Sequence, residues 1–354
     1  MPNRFLFTAK WALLVNLIAL SLISTTSFAG LFEADHIHER TVEMIKDFKK
    51  TGRRISFLDP NEKHPVDALP VLAGIKSGAY ISVGSERCFM MGAMLENITS
   101  LICADNDPKI VVYNLINMTL LRFAKNREHY ISLRLVDSLN SWRTQVAGSS
   151  RLTPSEQALL SDEVIFDFWN KNVRENIMFS YFHTKYDPSL PRTPFAGAHY
   201  LYDDKAFHRI SWLARSFSIS AQLIDFRDET DALRLMTHLS RRRIQISAID
   251  LSNAWWDNYA GATLLIDLAN RLLDRNELDA RLIFTGWLGP TGPHTGWGYY
   301  SVEIKTLLDR QNNSDFFHYV LSLQTRAIHR KVDIEEFTQP NGYMYRTHCR
   351  NLLR

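Results

Sequence analysis

The chain has 354 residues, of which 45% are hydrophobic and 12% aromatic, and its formal net charge is +3. This hydrophobic content is ample for a buried core. The small net charge argues against a nucleic-acid partner, which would need a clustered excess of Lys and Arg. The length is long for one domain but suits a single α/β domain with an insertion.

The first 29 residues have the three parts of a secretory signal peptide. Arg4 and Lys10 give a positive start, residues 11–23 form an apolar core, and residues 27–29 (Ser-Phe-Ala) form a small-x-small cleavage pattern. The apolar core is shorter than the roughly 20 residues of a membrane span. We therefore expect an exported protein, periplasmic or secreted, cleaved after Ala29 and without a stable membrane span. An uncleaved N-terminal membrane anchor is the alternative.

Residues 30–75 are predicted to be an N-terminal extension with one helix, and the regular alternation of strands and helices begins after it. Nearly continuous apolar runs predict strands at residues 80–83, 101–104, 219–225, 244–250 and 281–287. Helical patterns lie between them, at residues 86–96, 108–124, 203–217, 228–241 and 258–275. Strands separated by helices indicate parallel βαβ units, and continuous apolar strands indicate a sheet covered on both faces. We predict an α/β fold, Rossmann-like and doubly wound, with a mostly parallel sheet over residues 76–305.

Residues 128–200 interrupt the alternation and are predicted to be an inserted helical cap. Pro154 opens a helical pattern that should continue to about Phe179, and a Pro-rich loop follows. Residues 306–354 are predicted to be a C-terminal extension that packs on the domain.

Three predicted strands end in residues suited to a ligand, and the carboxyl ends of parallel strands meet at one edge of a sheet. Gly84 ends the first strand, where the backbone must turn sharply. Asp105 ends the second strand at the offset of roughly 20 residues typical of an acid that binds ribose hydroxyls. Asp250 ends a later strand. Helix capping by Ser85, and by Asp105 or Asn106, is the structural alternative.

This order of elements resembles that of class I S-adenosylmethionine-dependent methyltransferases. Residues 82–85 (Ser-Val-Gly-Ser) resemble the family's glycine loop, and Asp105 with Asn106 resembles its second-strand acid. The chain also resembles an uncharacterised group of exported bacterial proteins with Tyr-x-x-Val-Gly-Ser and Asp-x-Asp-Pro motifs. The resemblance implies that Gly84 and Ser85 hold the methionine part of S-adenosylmethionine, Asp105 its ribose and Asn106 its adenine edge.

The glycine loop departs from the family pattern, because Gly84 is its only glycine where two or three are usual. Glu86 follows and would repel the cofactor's carboxylate, whereas Arg87 would pair with it. For methyl transfer to an unknown acceptor, such as a small molecule, Asp250 is the candidate base and Asn253 would orient the acceptor. The alternative for Asp250 is a cap on the following turn.

A non-catalytic function is the second hypothesis. The same fold with a degenerate loop would serve as a periplasmic or secreted binding protein. A nicotinamide-dependent enzyme is a weaker third option, since it would need Gly-x-Gly-x-x-Gly after the first strand. The segment 285–300 has five glycines among aromatic residues. It predicts either a mobile lid or a turn-rich loop fixed by aromatic packing, with Trp255, Trp256 and Trp287 as a stacking surface for the acceptor.

Three cysteines are few for an exported protein that depends on disulfides. Cys88 and Cys103 lie on neighbouring predicted elements and would be near enough to pair, but isolated buried thiols, Cys349 included, are the favoured interpretation. His36 and His38 have the chemistry of metal ligands, yet residues two apart on a helix do not share a face. We therefore predict no metal site.

Overall fold

The computed structural model describes residues 68–136, 138–175, 199–255, 261, 263–291, 294–305 and 344–347. The predicted signal peptide, most of the N-terminal extension and Cys349 lie outside these residues, as does most of the C-terminal extension.

The centre of the molecule is a seven-stranded sheet in the order β3-β2-β1-β4-β5-β6-β7. Its strands are β1 (Ala79–Val83), β2 (Ser100–Asp105), β3 (Ile219–Leu223), β4 (Ile246–Asp250), β5 (Arg281–Thr291), β6 (His294–Glu303) and β7 (Met344–Thr347). The first five strands are parallel to their neighbours, β6 is antiparallel to β5, and β7 is antiparallel to β6. The chain reverses its direction of winding between β1 and β4, as in a doubly wound sheet. The predicted α/β, mostly parallel, Rossmann-like class is confirmed.

Ten helices are described, and they are α1 (Leu69–Leu72), α2 (Glu86–Met94), α3 (Pro108–Phe123), α4 (Arg127–Arg134), α5 (Leu139–Val146), α6 (Pro154–Ser161), α7 (Glu163–Glu175), α8 (Asp204–Arg215), α9 (Glu229–Arg241) and α10 (Thr263–Asp274). Many begin at a side-chain cap: Asp107 accepts from the N–H of Lys109 at the start of α3, and Asn126 accepts from that of His129 at the start of α4. None of the helices in the described ranges is long and apolar enough to cross a membrane.

Two hydrophobic cores lie on the two faces of the sheet, because alternate residues of each strand point to opposite sides. On one face, Tyr80, Leu101 and Cys103 pack with α2, α3, the inserted helices α4–α7 and α8. On the other face, Ile81 and Ile102 pack with α9 and α10. The insert therefore lies on the face that also carries the helix after Gly84.

The prediction of a single long helix from Pro154 is wrong, because the helix is interrupted at Asp162 and a second helix begins after it. Helix α6 ends at Ser161, and the Asp162 carboxylate then accepts hydrogen bonds from the backbone N–H groups of Val164 and Ile165, at 2.8 and 3.1 Å. An Asp that caps a new helix competes with continuation of the old one.

The loop or lid predicted over residues 285–300 is also wrong, because most of this segment forms the β5–β6 hairpin. In the strand register Trp287 is paired with Trp297, and Phe284 with Tyr300. Aromatic residues favour strands, and aromatic pairs across two strands stabilise a sheet. Here this preference for strands outweighs the preference of the interspersed glycines for turns.

Candidate functional site

The carboxyl ends of β1 and β2 bring Gly84 and Asp105 into direct contact. The backbone N–H of Gly84 donates a hydrogen bond to Oδ2 of Asp105 at 3.1 Å, and the N–H of Asp107 donates to Oδ1 at 2.9 Å. Gly84 has φ of +91°, and a Cβ built on it would meet no atom within 4 Å. The turn therefore needs glycine for its conformation and leaves open space in front of the strand end.

The electrostatic state of Asp105 is set by opposing effects. Burial raises the pKa of its carboxyl group to about 6, while the backbone N–H groups of Asp107 and Gly84 act to lower it. At neutral pH most of the group is ionised, so it can accept hydrogen bonds from hydroxyl groups. The order of strand, turn, helix, strand and acid predicted that these two strand ends lie at one edge of the sheet, and the structure brings them together there. Ligand binding by the pair stays a prediction.

The other two residues assigned to the cofactor differ in exposure. Asn106 is exposed beside Asp105, and its side chain hydrogen-bonds to Asp225, which follows β3. Ser85 is 3% exposed and holds the position before α2 without a capping hydrogen bond from its side chain. The helix-capping alternative is therefore wrong for both helices. The Ser85 side chain makes no capping hydrogen bond at α2, and Asp107, rather than Asp105 or Asn106, caps α3.

Arg87 and Asp250 form a buried ion pair behind the loop. The Nη2 atom of Arg87 lies 2.9 Å from Oδ1 of Asp250, and its Nε lies 3.1 Å from Oδ2. Tyr80 donates its hydroxyl to Oδ2 at 2.7 Å, and the N–H of Ser252 donates to Oδ1 at 3.1 Å. Asp250 is 0% exposed and Arg87 3% exposed, so this cluster binds α2 to β4 rather than facing the open edge.

The two residues assigned to the methyl acceptor differ in exposure. Asp250 is enclosed by Arg87 and Tyr80, whereas Asn253 is half-exposed beyond the end of β4. The turn N–H of Ser252 does reach Asp250, as the capping alternative expected, but the main partner of the carboxylate is Arg87.

The side chain of Glu86 turns away from the loop into the insert. Its Oε1 lies 2.6 Å from Nη2 of Arg134 and accepts from the hydroxyl of Tyr113 at 2.7 Å, and its Oε2 accepts from the hydroxyl of Tyr200. Arg134 also donates to the hydroxyl of Tyr130 at 3.0 Å. Glu86 and Arg134 are each 1% exposed, so Glu86 does not present its charge to a ligand at Gly84.

Charge compensation holds this buried network together. Burial alone would raise the pKa of Glu86, but the charge of Arg134, with the hydrogen bond from the Tyr200 hydroxyl, lowers it below the ordinary value. Burial lowers the pKa of His199 to about 4, and burial raises that of Tyr130 to about 12. At neutral pH the network thus holds one carboxylate and one guanidinium.

A disulfide joins Cys88 in α2 to Cys103 in β2, with the two Cα atoms 5.5 Å apart. The favoured interpretation of isolated buried thiols is therefore wrong for these two residues. The predicted proximity of their elements is correct. The bond connects the helix after Gly84 to the strand before Asp105, and both sulfurs lie in the core.

Trp255 is 1% exposed, its ring meets that of Phe284 edge-on, and its Nε1 donates to the carbonyl of Thr285 at 2.7 Å. It is a core residue and not part of an exposed stacking surface. The side chains of Trp256 and Trp287 lie outside what the structure describes.

Among the described residues, no group of three or more His, Cys, Asp and Glu side chains is arranged to hold a metal ion. His36 and His38 lie outside them. The chain matches no protein-family model and no curated protein. Its fold and the geometry of this edge therefore carry the functional argument.

Proposed function

We propose that the chain is an exported Rossmann-like protein that binds a nucleoside-containing ligand at the edge formed by Gly84 and Asp105, with S-adenosylmethionine as the candidate. The observation that carries this proposal is the contact of Gly84 with the Asp105 carboxylate beside open space. A glycine turn that lets a ligand approach and an acid that accepts from a ribose diol are the two elements that a nucleoside needs at a parallel-sheet edge.

The described residues fit the nucleoside half of S-adenosylmethionine better than its amino-acid half. Asp105 would take the ribose hydroxyls, and exposed Asn106 would offer an amide to the adenine edge. Arg87, the cation that could meet a carboxylate at this loop, is bound to Asp250. Ser85 and the backbone at Gly84 would lie beside the methionine part.

Methyl transfer to an unknown acceptor is the reaction proposed for this site. The bound cofactor would supply an activated methyl group, and the protein would mainly need to align the acceptor. Asn253, half-exposed beyond β4, would orient the acceptor. A base role for Asp250 would require its carboxylate to leave Arg87 and Tyr80.

Non-catalytic binding is the second candidate, and one observation favours it. The carboxylate of Asp250 is 0% exposed and already accepts from a guanidinium, a hydroxyl and a backbone N–H. With that carboxylate occupied, the protein would hold a ligand without removing a proton from an acceptor.

The proposed export is supported by the disulfide between Cys88 and Cys103, since such bonds persist mainly in oxidising compartments. Because nucleoside cofactors are made in the cytosol, the exported protein would have to meet its ligand after the protein is delivered to a compartment that contains the cofactor. This requirement is part of the proposal.

Calorimetric titration with S-adenosylmethionine and S-adenosylhomocysteine tests the site. We expect binding by the wild-type chain and a loss of at least about tenfold in affinity for Asp105→Ala, because charge-assisted hydrogen bonds to the ribose disappear. Gly84→Ala should also weaken binding, since its Cβ enters the ligand's space and strains the turn. No binding of either ligand to the wild-type chain would refute the nucleoside proposal.

Gly148→Ala is the matched control for Gly84→Ala. Gly148 also has positive φ, +68°, and a Cβ there would likewise meet no atom within 4 Å, but it lies in a turn of the insert. Both substitutions should cost about 1–2 kcal/mol of stability through backbone strain, and Gly84→Ala alone should weaken binding. Binding accompanied by methyl transfer to an offered acceptor would then separate the enzyme from the non-catalytic alternative.

A further inference from the structure

The C-terminal end of α8 exposes two large aromatic side chains. Trp212 is 54% exposed and Phe217 is 40% exposed. The helix leads into the amino end of β3, so these rings lie at the opposite edge of the sheet from the contact between Gly84 and Asp105. They are therefore separate from the proposed ligand site.

Phe217 occupies a backbone position that usually belongs to glycine. The N–H of Ser218 donates to the carbonyl of Leu213 at 2.9 Å, and the N–H of Phe217 donates to that of Ala214 at 3.2 Å. These two bonds form the helix end in which the intervening residue is left-handed, and Phe217 has φ of +56°. A bulky residue adopts this conformation at a cost in stability, and here the strained position carries an exposed ring.

Positive charges flank both rings. The guanidinium carbon of Arg209 lies 5.0 Å from the centroid of Trp212, and that of Arg122 lies 3.9 Å from the centroid of Phe217. Arg122 is neutralised by Glu156, and Arg209 donates to the backbone carbonyls of Leu95 and Ile98.

Three further cations lie near this helix end. Arg215 donates to the carbonyl of Ala124, next to exposed Lys125, and it is close enough to Arg151 for the two charges to repel. No carboxylate of the described part of the chain forms an ion pair with Lys125, Arg151 or Arg215. Among the described residues, the positive charges of Lys125, Arg151 and Arg215 are thus not paired with a carboxylate.

We propose that this aromatic-basic patch, formed by Lys125, Arg151, Trp212, Arg215 and Phe217, docks on an anionic phospholipid surface. Trp and Phe rings bury well at the boundary between headgroups and acyl chains, and neighbouring Lys and Arg side chains pair with lipid phosphates. A nucleic-acid site would require a broad excess of basic residues, whereas this chain has a net charge of only +3.

Flotation with phosphatidylcholine vesicles, with and without phosphatidylglycerol, tests the proposal. All variants are compared in the same full-length form, so that any N-terminal leader contributes equally. We expect the wild-type chain to bind the anionic vesicles preferentially, and Trp212→Ala and Phe217→Gly to lower the partition coefficient about tenfold each, because apolar burial is lost. Lys125→Gln and Arg151→Gln should each lower it about fivefold.

Leu233→Ala is the control, since Leu233 is 57% exposed on α9, beside the acidic start of that helix, and should float like the wild type. Phe217→Gly relieves the left-handed strain, so its melting temperature should not fall while its lipid binding does. The proposal is wrong if the wild type does not float with anionic vesicles, or if Trp212→Ala and Phe217→Gly float as it does. Capture by a single-stranded oligonucleotide in place of vesicles would equally overturn it.

Discussion

At Asp105, burial and hydrogen bonding act on one carboxyl group in opposite directions. Burial is the larger effect and raises the pKa from 3.8 to about 6. Because the folded-state pKa lies above the unfolded value, the protonated group stabilises the fold at low pH, and this contribution is lost as the pH rises through about 6. The nearby Asp225 behaves oppositely, since its hydrogen bond with Arg227 lowers its pKa.

Asp105→Asn should therefore change the pH dependence of stability. Urea unfolding of the wild type and the variant at pH 4.5 and 7.5 should show the wild type losing stability relative to Asp105→Asn between these two values (about pH 4 to 7 is the window in which the group titrates). Asp225→Asn is the control. The pKa of Asp225 lies below the ordinary Asp value, so this carboxyl group is ionised at both pH values. The free energy of unfolding of Asp225→Asn should therefore differ from that of the wild type by the same amount at both. If the difference in the free energy of unfolding between Asp105→Asn and the wild type were also the same at both pH values, the raised pKa of Asp105 would be contradicted.

Also at the scale of single residues, the sequence predicted the positions of Gly84 and Asp105 at one sheet edge, but it did not predict where the side chains of Glu86 and Arg87 would point. The first pair follows from a local rule, because a fixed spacing across one βα unit brings a strand end and the next strand end together. The partners of the second pair lie 48 and 163 residues away. No local pattern indicates which distant charge will meet a given side chain, so their inward orientation was not predictable.

At the scale of elements, helix α2 is held to the sheet by a covalent bond. The disulfide of Cys88 and Cys103 closes a loop of 15 residues, and a loop of this size is expected to contribute about 3 kcal/mol. The contribution acts where the helix after Gly84 meets the strand before Asp105. Reduction should therefore loosen the proposed ligand edge as well as the core.

The paired substitution of Cys88 and Cys103 by Ala should lower the free energy of unfolding by about 3 kcal/mol, measured by urea denaturation. Reductant should destabilise the wild type by a similar amount and leave the double variant unchanged.

Mass spectrometry of protein from an exporting cell should show a chain beginning at residue 30, with neither Cys88 nor Cys103 open to alkylation. Free thiols at both positions in that protein would contradict the proposed compartment.

Most elements were predictable because hydrophobic periodicity is a local signal. All five parallel strands and the helices between them lie close to their predicted positions. The failures lie where a residue has two local options. Asp162 can end a helix or begin one, and the segment after Phe284 carries both turn-forming glycines and strand-forming aromatics. Capping of the next helix decides the first case, and pairing of β5 with β6 decides the second. The hydrophobic pattern contains neither kind of information.

At the scale of the whole molecule, the insert is tied to the sheet domain by the buried pair of Glu86 and Arg134. Trp169 stacks on Tyr113 at 4.8 Å, and its Nε1 donates to the carbonyl of Arg134, so the helices of the insert surround the same charges. Removing one partner would leave the other charge buried and uncompensated. We therefore expect the insert and the sheet to unfold as one cooperative unit.

Arg134→Met should accordingly destabilise the whole protein by about 3–5 kcal/mol, and adding Glu86→Gln should restore part of that loss by removing the stranded charge. Lys205→Met, which breaks the exposed pair with Glu96, is the control and should leave stability nearly unchanged. Urea unfolding followed by tryptophan fluorescence and by far-ultraviolet circular dichroism should give coincident transitions in each protein. Two outcomes would contradict this coupling: a separate unfolding transition for the insert, or an Arg134→Met variant as stable as Lys205→Met. The buried pair would then not couple the insert to the loop at Gly84. Any effect of the insert on ligand binding would have to come from other contacts.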